Sequence, residues 1–297
     1  MLKRPTHSAV TQFIASILPP KTNDVPLLYH VPRHPRYNPD NALVEQVVLS
    51  ITPTPGVYDL IGHPHEGTIV TADESSPIVL PRLPRTICFL HRPFDLERRR
   101  VRNGTLVLSS HTSFDEHLTV GWNAALAERL GMSVVKSLCV QGYKADAERK
   151  IGILGQVAML RDLLLRRIKQ EFGTIEHVQE GQSDEIRVIA IMNAFNAEEV
   201  DRVLDMARAR TWIPSEPLYG RHVLYLTGQP RESGMLAAEE HGMTVVCVGH
   251  RIAEEWGIRR MATMLRLAFP TLQVREIYEE EIRPDRTPGP SDLSASC

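Results

Sequence analysis

Residues 245–257 read VVCVGHRIAEEWG. An apolar run with the character of a buried strand stops at Gly249, and the chain then turns into a helix. Side chains four apart on a helix point the same way, so His250 and Glu254 set an imidazole and a carboxylate on one face just past the end of the strand. In parallel α/β sheets, ligands collect at that place, beyond the carboxyl ends of the strands. One junction therefore bears on both the fold class and the site.

Outward from it, strands and helices alternate. HVLYLTG reads as a strand and ESGMLAAEEHG as a helix; before them come the strand EIRVIAIMN and the helix AEEVDRVLDMARAR, whose acidic start suits the helix dipole. VAMLRDLLLRRIKQEFG (157–173) reads as an amphipathic helix, and EEWGIRRMATMLRLAF as the last one. In the first half LVEQVVLSI (43–51), TICFLH (86–91) and GTLVLSSH (104–111) read as strands, and VYDLIGHPHEGTIV leads into another extended stretch. HLTVGWNAALAERLG reads as a helix ended by Gly131. LLYHVPRHPRYNPDN is too broken by proline for a regular element. The alternation predicts an α/β fold with mostly parallel pairing. The expected division is an N-terminal lobe at 1–135, a C-terminal lobe at 136–281, and a polar, proline-rich, disordered tail at 282–297.

A chain of 297 residues can bury a large core, and 42% hydrophobic with 24% charged residues is ordinary for a soluble globular protein. A formal charge of -2 argues against a dedicated nucleic-acid binder. Cys88, Cys139, Cys247 and Cys297 form no CxxC pair; Cys88 and Cys247 sit in apolar strands and read as reduced core residues. No apolar run approaches the length that spans a bilayer. The first 23 residues lack Asp and Glu, as mitochondrial presequences do, but Val10, Phe13, Ile14, Ile17 and Leu18 recur at helical spacing and read as a first core helix. The expected compartment is the cytoplasm, with the nucleus or mitochondrion as alternatives.

Three strands end in residues that metals prefer. TICFL runs into His91-Arg92-Pro93, LVLSS into His111-Thr112-Ser113-Phe114-Asp115, and VVCVG into His250 and Glu254. Taken singly each has a plainer reading: a solvated helix face for His250 and Glu254, a core histidine for His91, a helix cap at Thr112 or Ser113 for HTSFD. The support for a metal site rests on the three occurring together at strand ends and on what they resemble. Other patterns are weaker. His63-x-His65 with Glu66 sits in a turn; Ser109, Ser110, His111 and Asp115 lack a nucleophile elbow for a hydrolase triad. The run from Glu97 to Arg102 reads as a solvated loop, and KIGILG (150–155) lacks dinucleotide-binding spacing.

HTSFDEHLTVGWNAALAERLG and LYLTGQPRESGMLAAEEHGMTVVCVGHRIAEEWGIRRMATML resemble the central and C-terminal blocks of the NIF-three-like (NGG-one-interacting factor three) family. CFLHRPF resembles its His-His-Pro strand end, and KIGILG loosely its Gly-Ile-Gly-x-x-Gly stretch. The family's Trp-Asp-Asn-x-Gly-Leu signature is not recognisable here. Bacterial members are often labelled type-two GTP cyclohydrolase I homologues. The resemblance implies two related α/β lobes with mixed sheets around a dinuclear metal cleft, assembled as hexameric toroids. It carries the ligand roles to His91, Asp115, His250 and Glu254, with Arg92 standing where the second histidine is expected.

A guanidinium has no lone pair for a metal and stays charged. The resemblance implies that the second histidine shares its ion with the Asp, so the change should spoil the ion site at Asp115 and spare that of His91, His250 and Glu254. Arg92 can replace the missing cation by a two-bond pairing with Asp115 or Glu254. Two readings stand. In one, a single divalent ion (zinc, iron, manganese or similar) serves a hydrolase-like reaction on a nucleotide-like or heterocyclic substrate, with His111 as a proton carrier or a structural hydrogen-bonding group. In the other, the cleft is dead and the chain is an oligomeric interaction scaffold with a protein partner in transcription.

Overall fold

The computed structural model describes residues 3–63, 83–214 and 218–281. Two mixed sheets carry the fold. The strands are β1 (Leu28–His30), β2 (Gln46–Ser50), β3 (Thr86–Leu90), β4 (Leu106–Ser109), β5 (Leu138–Tyr143), β6 (Asp146–Leu160), β7 (His177–Gln179), β8 (Glu185–Met192), β9 (Val223–Thr227), β10 (Thr244–Cys247) and β11 (Gln273–Ile277). The helices are α1 (His7–Ile17), α2 (Pro55–Ile61), α3 (Thr112–Leu118), α4 (Ala124–Arg129), α5 (Arg161–Phe172), α6 (Ala197–Ala209), α7 (Glu232–Glu240) and α8 (His250–Ala268).

The first sheet has the order β1-β4-β3-β2-β11, parallel except for β1. The second has the order β5-β6-β8-β9-β10-β7, with a parallel centre of β8, β9 and β10 and antiparallel flanks. The central parallel strands β2, β3, β9 and β10 are buried along their whole length, as strands covered on both faces must be.

Helix α8 joins the two layers. Its first half packs Ala253 and Trp256 with Leu224, Leu226 and Val246 of the second sheet. Its second half packs Ile258, Met261, Ala262 and Leu265 with Val47 and Phe89 of the first. Helix α1 adds Val10 and Ile14, with Leu18 just past its end, to that first core, and each such buried side chain contributes about 1.5–3 kcal/mol.

Several elements differ from the sequence expectation. VYDLIG is helical in α2, because Pro55 stands in the first turn, where proline fits best. HLTVGWNAALAERLG divides into α3 and α4, since Asn123 caps a new helix by accepting from Leu126 N at 3.0 Å. Helix α5 starts at Arg161, not 157, because the preceding residues finish the long strand β6; KIGILG lies inside that strand, with Gly152 opposite Met192 and Gly155 opposite Ile189. LLYHVPRH does hold an element, the three-residue edge strand β1, where proline neighbours are tolerated. Residues 282–297, expected as a tail, and His65 and Glu66 lie outside the described residues.

Candidate metal centre

The carboxyl ends of parallel strands from both sheets meet at one cleft. Strand β3 delivers His91, β4 leads through Ser110 to His111 and α3, and β10 leads through Gly249 to α8. Gly249 has φ +97°, a left-handed conformation that an L side chain rarely adopts, and α8 starts at His250 directly after it.

His91 is fully buried. Its ring lies 4.4 Å from that of Phe114 and stacks at 5.0 Å and 16° on His111. Its Nδ1 is 3.1 Å from the carbonyl oxygen of Ser110, which only accepts, so Nδ1 carries the proton. The other ring nitrogen, Nε2, faces Glu254 Oε1 at 3.1 Å and Asp115 Oδ1 at 3.4 Å. His250 Nε2 approaches the same Glu254 oxygen at 3.2 Å. A neutral imidazole with Nδ1 protonated would turn a lone pair toward two carboxylate oxygens. Positive charge is needed between them, as a second ring proton or as a metal ion.

The protonation preferences follow. Burial disfavours the His91 imidazolium, but hydrogen bonding to Asp115 and Glu254 and their charges outweigh it and push its pKa up to about 9. Burial likewise resists ionisation of Glu254, yet His250 and His91 hold its carboxyl well below the carboxylate range. The bond to Glu254 raises His250 against the effect of burial. His111 moves the other way, lowered by burial despite the pull of Asp115, and so keeps a free lone pair. His91, His111 and Asp115 each offer a ligand atom, all within 4.8 Å of one another. A His-His-Asp cluster of this kind can hold a metal ion.

Arg92 Nη2 lies 3.1 Å from Glu254 Oε2 and 3.2 Å from Glu281 Oε1. It thus engages Glu254, through one nitrogen and not a two-bond fork, and its second carboxylate is Glu281, not Asp115.

Asp24 is a site residue that sequence reasoning missed. The cap of α3 comes from its carboxylate, not from Thr112 or Ser113. His111 N and Thr112 N donate to Oδ1 at 2.9 Å each, and Ser113 N donates to Oδ2 at 3.0 Å. Burial alone would raise the Asp24 pKa, but these backbone donors and that of Val25 lower it. Lys21, three residues earlier, pairs with the buried Glu116 of α3. No local pattern signals this; a lone Asp before Val-Pro is an ordinary loop residue.

The weaker candidates go elsewhere. Ser109 Oγ donates to Leu90 O at 2.7 Å and Ser110 Oγ to Asp24 Oδ2 at 3.2 Å, so both hydroxyls are structural. His63 is exposed after α2. Arg98 and Arg100 lie over the rings of Tyr29 and Tyr58, at 5.0 and 3.8 Å. Burial raises the thiols of Cys88 and Cys247, as expected of inert core residues.

Beside the cluster opens a cleft of about 200 Å³, lined by Asp115, His250 and Glu254 on one side and by Arg149, Asn193 and Thr227 on another.

Comparison with known proteins agrees with this architecture. The model of the family Duf34/NIF3 (NGG1p interacting factor 3) matches residues 94–205. A "GTP cyclohydrolase 1 type 2 homolog" of Neisseria meningitidis serogroup B is 27% identical over 157 residues, 51% of this chain and 53% of that protein. The chain therefore matches about half the length of such curated relatives. Among solved structures, a hypothetical protein of Staphylococcus aureus superposes with TM-score 0.58 at 14% identity, covering 95% of this chain and 100% of the other. Reduced HcgD from Methanocaldococcus jannaschii gives TM-score 0.57 at 16% identity, covering 93% and 99%. A Bacillus cereus protein related to NIF3 gives 0.53 at 13%, covering 95% and 99%. Among the described residues no helix is long and apolar enough to cross a membrane.

Proposed function

Taking the chain as NIF-three-like, we propose that its cleft is a divalent-cation centre in a hydrolase-like protein, with His91, Asp115, His250 and Glu254 as the ligands that the resemblance implies and His111 beside them in the same His-His-Asp cluster. The observation that carries this is the His91 ring nitrogen turned toward two carboxylate oxygens, at 3.1 and 3.4 Å. The donor set fits a zinc-, iron- or manganese-type ion: neutral imidazoles and carboxylates, with Ser110 orienting the innermost ring from behind. Arg92 favours one ion over two, because its guanidinium already answers the outer oxygen of Glu254.

A divalent ion held by these residues would lower the pKa of a water and polarise a substrate oxygen or ring carbon. His111, half-buried and favouring the neutral form, is the group that takes up and returns a proton. Asp24 fixes the backbone of His111 for that task. Val120 and Ala253 give the cleft an apolar stretch near the ligands. The substrate class we favour is nucleotide-like or heterocyclic; the name carried by the Neisseria relatives leans that way.

Metal analysis of protein purified without chelator, wild type beside Arg92→His, tests the reading. We expect one ion per chain in the wild type and a gain toward two in the variant. Near-zero content in both would end it. The Arg92–Glu254 pair also gives a specific reason for the second reading, a cleft closed without metal in an oligomeric scaffold, since the pair neutralises a buried carboxylate by itself. That reading predicts a melting temperature indifferent to chelator, whereas a bound ion predicts a clear drop.

A further inference from the structure

The cleft has a second wall, built from the second sheet, that the cation ligands do not use. Asn193 follows β8, and its backbone N–H donates to Ile151 O at 2.9 Å, continuing the register that sets Gly152 opposite Met192. Asn193 therefore stands across from Ile151. Arg149 lies two residues before Ile151 on β6, in the stretch where the pairing with β5 shifts register. Arg149 and Asn193 line the same cleft.

Both carry an unanswered donor. Arg149 Nε and Asn193 Nδ2 are buried and have no hydrogen-bond partner among the described residues. The guanidinium of Arg149 lies 5.4 Å from the centre of the Tyr143 ring, and no carboxylate of the described residues pairs with it. Buried donors are almost always satisfied, so two of them lining one cleft indicate that a ligand completes them. Arg231 lines the same cleft and adds a second positive charge. The wall stands at the carboxyl ends of parallel strands β8 and β9, where ligands bind in such sheets.

We propose, building on the cation centre above, that Arg149, Asn193 and Arg231 form a cradle for a phosphate group of the substrate, which holds the remainder of the molecule against His91, Asp115 and Glu254. Two guanidinium charges and an amide N–H suit a tetrahedral dianion; a planar carboxylate would leave one charge unanswered. The wall thus selects phosphorylated ligands over their unphosphorylated counterparts.

Calorimetric titration of the full chain with inorganic phosphate tests this, run on metal-stripped and zinc-reloaded protein, with acetate as the comparison anion. We expect phosphate to bind more tightly than acetate, and Arg149→Met to weaken phosphate about tenfold or more, the loss of a charge-assisted hydrogen bond. Arg149→Lys keeps the charge but loses the fork, and falls between them. Asn193→Ala weakens phosphate by a smaller factor. Melting temperatures of Arg149→Lys and Asn193→Ala close to wild type exclude misfolding as the cause. The cradle is overturned if phosphate fails to bind either form, if acetate binds as tightly, or if the Arg149 variants bind phosphate like wild type. Phosphate binding that needs Arg149 in a protein that takes up no zinc upholds the cradle and sinks the cation centre. Zinc uptake without phosphate binding does the reverse.

Discussion

At His91 a ring nitrogen, two carboxylates and a backbone carbonyl share one buried pocket, and single residues around it set what that pocket can do. Asp24 is the plainest case. Three backbone N–H groups of the α3 start depend on its carboxylate. Asp24→Ala should therefore cost about 1–2 kcal/mol in urea unfolding, the usual worth of a helix cap, and reduce metal retention by loosening α3, which carries Asp115. An unchanged unfolding midpoint would refute the capping role. His7 offers a test by pH. Burial, aided by the charge of Arg85, lowers its pKa from the ordinary 6.5 to about 4, while its Nδ1 meets Tyr37 Oη at 3.0 Å. The unfolded chain takes up a proton there before the folded one does. The stability held by neutral His7 is thus whole above pH 6.5 and is lost as pH falls toward 4. Melting temperature should drop over that interval more steeply in wild type than in His7→Gln; parallel curves would contradict it.

Helix α8 presents two ligand candidates at its start and buries its length between both sheets, so its approach to α3 governs the site. Gly257 makes that approach possible: a Cβ there would meet Phe114 Cζ at 2.6 Å and Leu118 O at 2.8 Å. Gly257→Ala should cost about 1–3 kcal/mol by overpacking and push Phe114 against His91, measurable as a lower denaturation midpoint and weaker metal retention. A stability like wild type would show the two helices to be free to part. At this scale the sequence was legible where period and length agree, as in α1, α6, α7, β8 and β9. It misled where apolar residues continued across a boundary set by tertiary contacts. VAML extends the pattern of α5 but pairs as strand with β8, and Asn123 starts a new helix inside a stretch that reads as one. Strands β5, β7 and β11 are only partly buried and carry too little apolar pattern to be read without their neighbours.

Across the whole molecule, strand ends from two sheets point into one cleft, and that is why so much of the site was readable. A polar residue directly after a buried apolar strand marked His91, His111, Asp115 and His250, and the structure brings all of them together with Glu254 and Arg92. The same rule applied to EIRVIAIMN and HVLYLTG would have marked Asn193 and Thr227, which line the cleft. Asp24 and Arg149 had no such mark, because one lies in a loop and the other near the start of the hairpin strand β6. By resemblance we also expect a homo-oligomer, most simply a hexamer, and light scattering should give a mass six times that of one chain. A monomer at all concentrations would refute that.

The cation centre itself is tested most directly by an anomalous-scattering map of crystals grown from protein purified without chelator. We predict one strong peak among His91, Asp115, His250 and Glu254, with Arg92 on the outer side of Glu254. A cleft with no peak after soaking in zinc, and His91 still bonded to both carboxylates, would contradict the account.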